Sequence, residues 1–225
     1  MSINTVEKID DLVKVKHVLV SVSDKKGLDS FIPGLLEINP GIRILSTGGT
    51  FGKIKEILGT KADGCLMQVS DYTGQPETQG GLVKTLDFKI YLGLLTETYN
   101  DAHKADLART QAVPIDMVVV NLYPFAETIA KSGVTTEAAR GNIDIGGPCM
   151  IRAAAKNFIR VASVTDPADY PLILSEMKSG KGMISLHIRC KLACKAFDHT
   201  AVYDRTIADF LGKQAFETVR KCYKF

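Results

Sequence analysis

Short apolar runs alternate along the chain with longer segments in which apolar residues recur every three or four positions. Apolar runs bounded by turn residues are typical of strands buried on both faces, and the longer periodic segments are typical of amphipathic helices. The alternation predicts parallel strands joined by crossover helices. The predicted strands cover residues 17–22, 42–45, 65–69, 117–120 and 161–164, with residues 89–95 as another strand or buried segment.

Helices are predicted between and after these strands. They cover residues 28–38, 50–58, 102–111, 126–131, 136–140, 149–156 and 169–178, followed by a helical pattern from 186 to about 218. Residues 179–182 hold two glycines among small and charged residues, which is typical of a linker. We therefore expect a doubly wound α/β domain over residues 1–178, with a mostly parallel sheet covered by helices on both faces, and a C-terminal helical extension over residues 179–225.

Composition narrows the class of protein. The 225 residues are 45% hydrophobic and 24% charged, which indicates a globular chain with a full core and excludes intrinsic disorder. The formal net charge is only +3, and no long run of like charges occurs, which argues against nucleic acid as the main partner. The first sixteen residues have mixed charge, and no apolar stretch is long enough for a membrane span. We expect a cytoplasmic protein without a membrane partner.

Several common site types are not indicated. The five cysteines include no C-x-x-C pair, so the sequence suggests neither a disulfide framework nor a zinc site. The four histidines are dispersed and none pairs with an obvious nucleophile. Phosphate-loop and dinucleotide-binding motifs are absent as well, so neither ATP nor NAD is indicated.

Polar residues cluster after the predicted strands, where open parallel sheets bind ligands. They are Ser21, Ser23 and Lys25 after the first strand, Thr47, Gly48, Gly49 and Thr50 after the second, Asn121 and Tyr123 after the fourth, and Asp144, Gly146 and Gly147 late in the domain. Residues 46–50, which we call the 46–50 loop, can bind a phosphate through backbone N–H groups and hydroxyls, or can simply be a turn that caps a helix.

The candidate catalytic residues each have an ordinary alternative. Lys84 lies between apolar neighbours, where desolvation would make it an acid, base or oxyanion partner, but most lysines are surface residues. Asp144 can act as a general base or cap the following helix. Tyr123 can donate a hydrogen bond to a ligand or pack near its turn.

Seven motifs, in order along nearly the whole chain, resemble the IMP cyclohydrolase domain of the bifunctional AICAR transformylase/IMP cyclohydrolase family. They are Ser21-Val22-Ser23-Asp24-Lys25, Ser46-Thr47-Gly48-Gly49-Thr50, Val69-Ser70-Asp71-Tyr72-Thr73-Gly74, Gly80-Gly81-Leu82-Val83-Lys84-Thr85-Leu86, Asn121-Leu122-Tyr123-Pro124-Phe125, Ile143-Asp144-Ile145-Gly146-Gly147 and Arg152-Ala153-Ala154-Ala155-Lys156-Asn157. Residues 195–204 resemble the family's helical connection toward the transformylase domain.

The resemblance implies a fold like methylglyoxal synthase and closure of the second purine ring. The substrate would be 5-formamidoimidazole-4-carboxamide ribonucleotide and the products IMP and water, with no metal or redox cofactor. By analogy, the residues after the first two strands would hold the nucleotide, with Asn121, Gly146 and Gly147 also lining the substrate site. The reacting groups would lie near Lys84, Thr85, Tyr123, Asp144 and Lys156. In a straight helix, nine steps separate Gly147 and Lys156 by roughly 13 Å, which makes Lys156 the least secure of these assignments.

The sequence also departs from the family. Leu82 and Asp87 replace an Arg and a His of the common motif, and Tyr91 stands where a His is common. These changes keep open a nucleotide-binding regulatory module of the same fold, without catalysis, and a phosphate-eliminating methylglyoxal synthase is a second alternative. The transformylase half is missing, so we expect either a stand-alone cyclohydrolase with a separate AICAR transformylase as a partner, or a fragment of a bifunctional chain. The apolar residues of the C-terminal helices can pack within the chain or form a homodimer.

Overall fold

The computed structural model describes residues 5–76, 78 and 83–225. In chain order, its strands are β1 (Leu12–Lys14), β2 (His17–Val22), β3 (Arg43–Ser46), β4 (Leu66–Gln68), β5 (Met117–Asn121), β6 (Ala162–Val164) and β7 (Met183–Ser185). The helices are α1 (Leu28–Ile38), α2 (Gly48–Leu58), α3 (Val69–Thr73), α4 (Phe88–Leu95), α5 (Asp101–Thr110), α6 (Phe125–Ile129), α7 (Thr136–Gly141), α8 (Gly146–Lys156), α9 (Tyr170–Ser179), α10 (Leu186–Gly212) and α11 (Phe216–Arg220).

Five parallel strands form the main sheet in the order β4-β3-β2-β5-β6. The chain runs outward from β2 through β3 to β4, and then returns to the other side of β2 with β5 and β6. Val20 pairs with Ser46 on one side, and Val22 pairs with Asn121 on the other. The direction of winding therefore reverses at β2, and the carboxyl ends of β3, β2 and β5 border a crevice, the usual ligand site of such sheets.

Alternate residues of the strands serve two cores, one on each face of the sheet. Val18 and Val20 of β2 pack toward α1, α2 and α9, whereas Leu19 packs toward α4, α8 and α10. Because side chains alternate along a strand, a sheet covered on both faces needs apolar residues at every position. This explains the continuous apolar runs of β2 and β5. The predicted doubly wound α/β fold is confirmed.

Residues 89–95, expected as a strand or a buried segment, form a helix with one buried face. Asp87 begins α4 as its N-cap, because its carboxylate accepts a hydrogen bond from the backbone N–H of Lys89 at 2.8 Å. Ile90 and Leu94, four residues apart, are fully buried on one face of the helix. The strand predicted over 65–69 is also shorter than expected, since Val69 already begins α3. A short apolar segment has too few residues to distinguish the two periods.

The sequence pattern did not predict the antiparallel pair formed by β1 and β7. Residues 179–182, predicted as a linker, form a tight turn between α9 and β7, in which Lys181 and Gly182 have φ angles of 54° and 85°. The N–H of Val15 donates to the carbonyl of Gly182, so the turn is fixed to the N-terminal segment. The division of the chain at residue 178 stays a prediction.

The C-terminal helical pattern is confirmed as α10 and α11. Leu192 of α10 is buried in the core of the domain, and the ring of Phe210 packs against Phe125 with centroids 5.8 Å apart. Phe197 and Val202 are exposed. Although α10 has 27 residues, no helix in the described part of the chain combines the length and apolarity of a membrane span.

Candidate active site

A cleft with a cavity of about 270 Å³ opens at the carboxyl edge of the sheet. It brings together most of the residues predicted from sequence, although they come from distant parts of the chain. Its lining includes Ser21, Ser23, Lys25, Thr47, Gly48, Gly49, Thr50, Lys84, Thr85, Asn121, Tyr123, Asp144, Gly146 and Gly147. Sequence reasoning did not identify its apolar wall, formed by Val22, Val83, Leu86, Val120 and Met150.

The 46–50 loop includes the last residue of β3, Ser46, and the first turn of α2, which begins at Gly48 and not at the predicted residue 50. This first turn faces the cleft. Gly48 has a φ angle of 54°, which favours glycine, and a Cβ atom there would lie 3.4 Å from Nζ of Lys84. A Cβ atom on Gly49 would lie 3.9 Å from Nζ of Lys25. Thr47, the N-cap residue, makes no side-chain capping hydrogen bond. Two ammonium groups and a helix N-terminus thus converge on the glycines, an arrangement suited to an anion such as phosphate.

Thr50 and Asn121 line the cleft, but their polar atoms bond to the backbone. The Thr50 hydroxyl accepts from the N–H of Val22 at 3.1 Å and donates to its carbonyl at 3.0 Å. The Asn121 carbonyl oxygen accepts from the N–H groups of Ser23 and Asp24 at 2.7 and 2.9 Å, and its amide donates to the Asp24 carbonyl. These side chains therefore hold the loop after β2 in shape, and their contact with substrate stays a prediction.

Asp144 lies in the turn before α8, half-buried at the side of the cleft. Its carboxylate accepts a hydrogen bond from the N–H of Gly147 at 2.9 Å, so it caps the start of the helix. Burial raises the pKa of this carboxyl, and hydrogen bonds from the backbone of Gly147 and Tyr123 oppose the shift. Capping and a role as a base are thus compatible, because a raised pKa makes the carboxylate a stronger base.

The two glycines after Asp144 allow close packing at the cleft wall. A Cβ atom on Gly146 would lie 2.5 Å from Oγ1 of the buried Thr85, and one on Gly147 would lie 2.6 Å from Cδ2 of Leu122. Both distances are shorter than any real contact. Gly146 therefore allows Thr85 to pack close to the turn of Asp144, and Gly147 allows Leu122 and the Asp144 carboxylate to pack close to the start of α8.

Of the two remaining predicted catalytic residues, Tyr123 lines the cleft and Lys156 does not. Tyr123 lines the cleft with 52% of its surface exposed. Lys156 is exposed at the last residue of α8, roughly 15 Å along the helix axis from Gly146 at its start, and does not line the cleft. A role of Lys156 near the reacting groups therefore stays a prediction.

The departures from the family have structural counterparts. Leu82, like Gly80 and Gly81, lies outside the described residues. Asp87 caps α4, and the hydroxyl of Tyr91 is buried without a hydrogen-bond partner among the described residues. Burial raises the pKa of the Tyr91 hydroxyl strongly. Neither side chain lines the cavity beside Asp144.

Sequence reasoning missed Tyr203 as a residue next to the site. Its hydroxyl accepts a hydrogen bond from the backbone N–H of Asp144 at 2.8 Å. The only signal in the sequence was a tyrosine within the C-terminal helix, and helical spacing alone does not show which distant turn it contacts.

Comparison with protein families matches residues 28–149 to the MGS-like domain and residues 154–224 to the AICARFT/IMPCHase bienzyme. The boundary between the two matches falls within α8, which is one continuous helix. The first match covers more than half of the chain.

The curated relatives are longer than this chain. The bifunctional purine biosynthesis protein PurH of Bacillus cytotoxicus is 49% identical over 202 residues, which are 90% of this chain and 38% of that protein. PurH of Magnetococcus marinus is 46% identical over 201 residues, 89% of this chain and 36% of that protein. The chain thus spans well under half the length of these relatives.

Among solved structures, the crystal structure of ForH is similar, with a TM-score of 0.73 and 29% identity. The alignment covers 88% of this chain and 99% of that one. The likeness therefore extends over most of this chain and is not confined to an isolated motif.

Proposed function

We propose that this chain, which belongs to the MGS-like domain family, is an IMP cyclohydrolase that closes 5-formamidoimidazole-4-carboxamide ribonucleotide to IMP in purine biosynthesis. The observation that supports this most directly is the single cleft that holds Lys84, Tyr123 and Asp144 next to the 46–50 loop. The similarity to PurH proteins over 90% of the chain and the match of residues 154–224 to the AICARFT/IMPCHase bienzyme agree with it.

The substrate phosphate would bind at the N-terminus of α2. The Nζ atoms of Lys25 and Lys84 lie close to Gly49 and Gly48, so they would balance its negative charge. Ser21, Ser23 and Thr47 supply hydroxyl groups along the same wall. Asn121 and Thr50 would contribute by fixing the backbone of this site.

Ring closure forms one C–N bond and breaks one C–O bond. The carboxamide nitrogen attacks the formyl carbon, and the formyl oxygen gains charge and then leaves as water. The water takes one proton from the carboxamide nitrogen and one from the formamide nitrogen. In our proposal Asp144 accepts the proton of the attacking nitrogen, and Lys84 and Tyr123 donate hydrogen bonds to the developing oxyanion.

The first test is an absorbance assay for IMP formation, with the wild type and Lys84→Ala. We expect the variant to lose about 10²–10³-fold in kcat, because an oxyanion donor in a cleft contributes that much. Lys55→Ala is a matched control, since Lys55 is an exposed lysine on the opposite end of α2 from the cleft. Equal rates for Lys84→Ala and the wild type would refute the proposed role of Lys84.

The two alternative functions predict no IMP formation in this assay and a positive result in a different measurement. A regulatory module would bind IMP tightly without turnover, and the Asp87 and Tyr91 replacements are the observations that favour it. A phosphate lyase would release inorganic phosphate from a triose phosphate. For the cyclohydrolase, we propose further that an AICAR transformylase supplies the formamido nucleotide and that the location is cytoplasmic.

A further inference from the structure

Helix α10 returns to the cleft from outside the family-matched MGS-like segment. Tyr203 lies on this helix, 59 residues after Asp144, and its hydroxyl accepts the Asp144 N–H at 2.8 Å. The side chain is half-buried, and burial raises the pKa of its hydroxyl, which therefore stays neutral. The backbone of Asp144 is thus held on one side by Tyr203, while its carboxylate is held on the other by the N–H of Gly147.

The ring of Tyr203 contacts a second turn of the cleft. It packs edge-on against Phe125, with ring centroids 6.3 Å apart and planes at 69°. Phe125 is buried, and its N–H donates to the carbonyl of Tyr123 at 2.8 Å. Phe210, two helical turns after Tyr203, also packs edge-on against the ring of Phe125. One side chain therefore connects the turn of Asp144 with the turn of Tyr123.

We propose that Tyr203 is a positioning residue of the active site, which fixes Asp144 through its hydroxyl and the turn of Tyr123 through its ring. In this proposal helix α10 supports the active site from outside, and the reacting groups belong to other segments of the chain. The catalytic part of this inference rests on the proposed function, whereas the geometric part does not.

The test is Tyr203→Phe in the full chain, which removes the hydroxyl and keeps the ring. The Asp144 N–H then loses its acceptor, and water can enter beside the carboxylate. We expect kcat to fall roughly tenfold, with KM changed less than about twofold, because misplacing a reacting group affects the transition state more than binding. The acid limb of kcat should move to lower pH, since hydration restores the charged form of the carboxylate.

Other charged and titratable groups near Asp144 can also affect the acid limb of the pH dependence of kcat. Tyr123 and Tyr203 lie beside Asp144, Asp204 follows on α10, and Lys25 and Lys84 line the same cleft. Asp144 is the group whose raised pKa should fall when the Tyr203 hydroxyl is removed, because water would then reach its carboxylate.

Tyr72→Phe is a matched control. The Tyr72 hydroxyl also accepts a backbone N–H, that of Val113, at 2.9 Å, but Tyr72 does not line the cleft. The Tyr72→Phe variant should lower the melting temperature about as much as Tyr203→Phe does. It should leave kcat and the acid limb of kcat unchanged. Equal kcat and equal acid limbs for Tyr203→Phe and Tyr72→Phe would overturn the proposal.

A second measurement separates this inference from the proposed function. A carbon-13 NMR titration of the Asp144 carboxyl, assigned by Asp144→Asn, needs no turnover. If the wild type fails to form IMP, the cyclohydrolase proposal fails. The positioning role still stands if the Asp144 titration moves to lower pH in Tyr203→Phe, and falls if it does not.

Discussion

Gly146 and Gly147 show how single residues determine the shape of the cleft. Neither needs glycine for its backbone conformation, since neither has a positive φ angle. The requirement comes from the contacts of a Cβ atom with Thr85 and Leu122. A glycine pair before a helix therefore has a packing explanation that the sequence motif alone does not reveal.

Substituting Gly146 tests this packing. We expect Gly146→Ala to lower the free energy of unfolding by about 1–3 kcal/mol and to weaken IMP binding, because the new methyl group displaces Thr85. Gly52→Ala in α2 is the control. A Cβ atom on Gly52 meets nothing within 4 Å, so that variant should gain about 0.5–1 kcal/mol. Urea unfolding and calorimetric titration with IMP measure both effects, and equal stability of the two variants would contradict the steric explanation.

The raised pKa of Asp144 predicts a pH dependence. A buried carboxyl keeps its proton to higher pH than an ordinary aspartic acid, whose pKa is about 3.9, so a base at this position fails earlier as the pH falls. We expect the acid limb of kcat/KM to lie above pH ~4, and Asp144→Asn to abolish that limb together with most activity. Rate profiles over a pH series test this. A limb of unchanged position in the residual activity of Asp144→Asn would assign it to another group.

At the scale of elements, Arg189 explains how α10 is attached to the domain. This side chain is fully buried, with 0% of its surface exposed, and within the described part of the chain its guanidinium donates to backbone carbonyls. The acceptors belong to the N-terminal segment, the segment after α8 and strand β7, namely Asp10, Asp11, Phe158, Ile159 and Ile184. One arginine thus joins three segments that are distant in sequence.

Replacing Arg189 should be costly. Arg189→Met keeps much of the buried volume but leaves these carbonyls without their donor, and each unsatisfied buried acceptor costs about 1–3 kcal/mol. We expect a loss of at least about 3 kcal/mol in the free energy of unfolding, which corresponds to roughly 6–12 °C in Tm for a chain of this size. Arg205→Met, on the exposed side of the same helix, should change stability by less than about 0.5 kcal/mol. Similar Tm values for both variants would refute the assigned role.

At the scale of the whole molecule, the C-terminal segment shares the cores of the α/β domain. Ile184 and Leu192 pack in the core beneath α1 and α9, and Ala193 and Ala196 pack in the core beneath α4 and α8. The boundary between residues 178 and 179 therefore separates segments that bury each other's apolar surface.

This shared packing predicts a single unfolding transition. We expect the calorimetric and van't Hoff enthalpies of the full chain to agree, because neither part can unfold without exposing the other's core. IMP should raise the temperature of that one transition as a whole. Two resolved transitions, with only the first or the second shifted by IMP, would indicate that residues 179–225 form an independent unit.

The sequence by itself determined the five strands of the main sheet, most of the helices between them, the doubly wound topology and the candidate cleft. These features follow from local periodicity and from the rule that parallel sheets bind ligands at the carboxyl ends of their strands. The collinear motifs then indicated which chemistry to expect at Lys84, Tyr123 and Asp144.

The tertiary structure alone decided which polar side chains line the cleft and which of them bond to the backbone. Residues 89–95 became a helix because Asp87 caps them, Lys156 was placed at the far end of α8, and Thr50 and Asn121 turned to backbone partners. Tyr203 entered the site from 59 residues away. Sequence periodicity records which face of an element is apolar, but the partner of a polar side chain depends on contacts between distant segments, which exist only after folding.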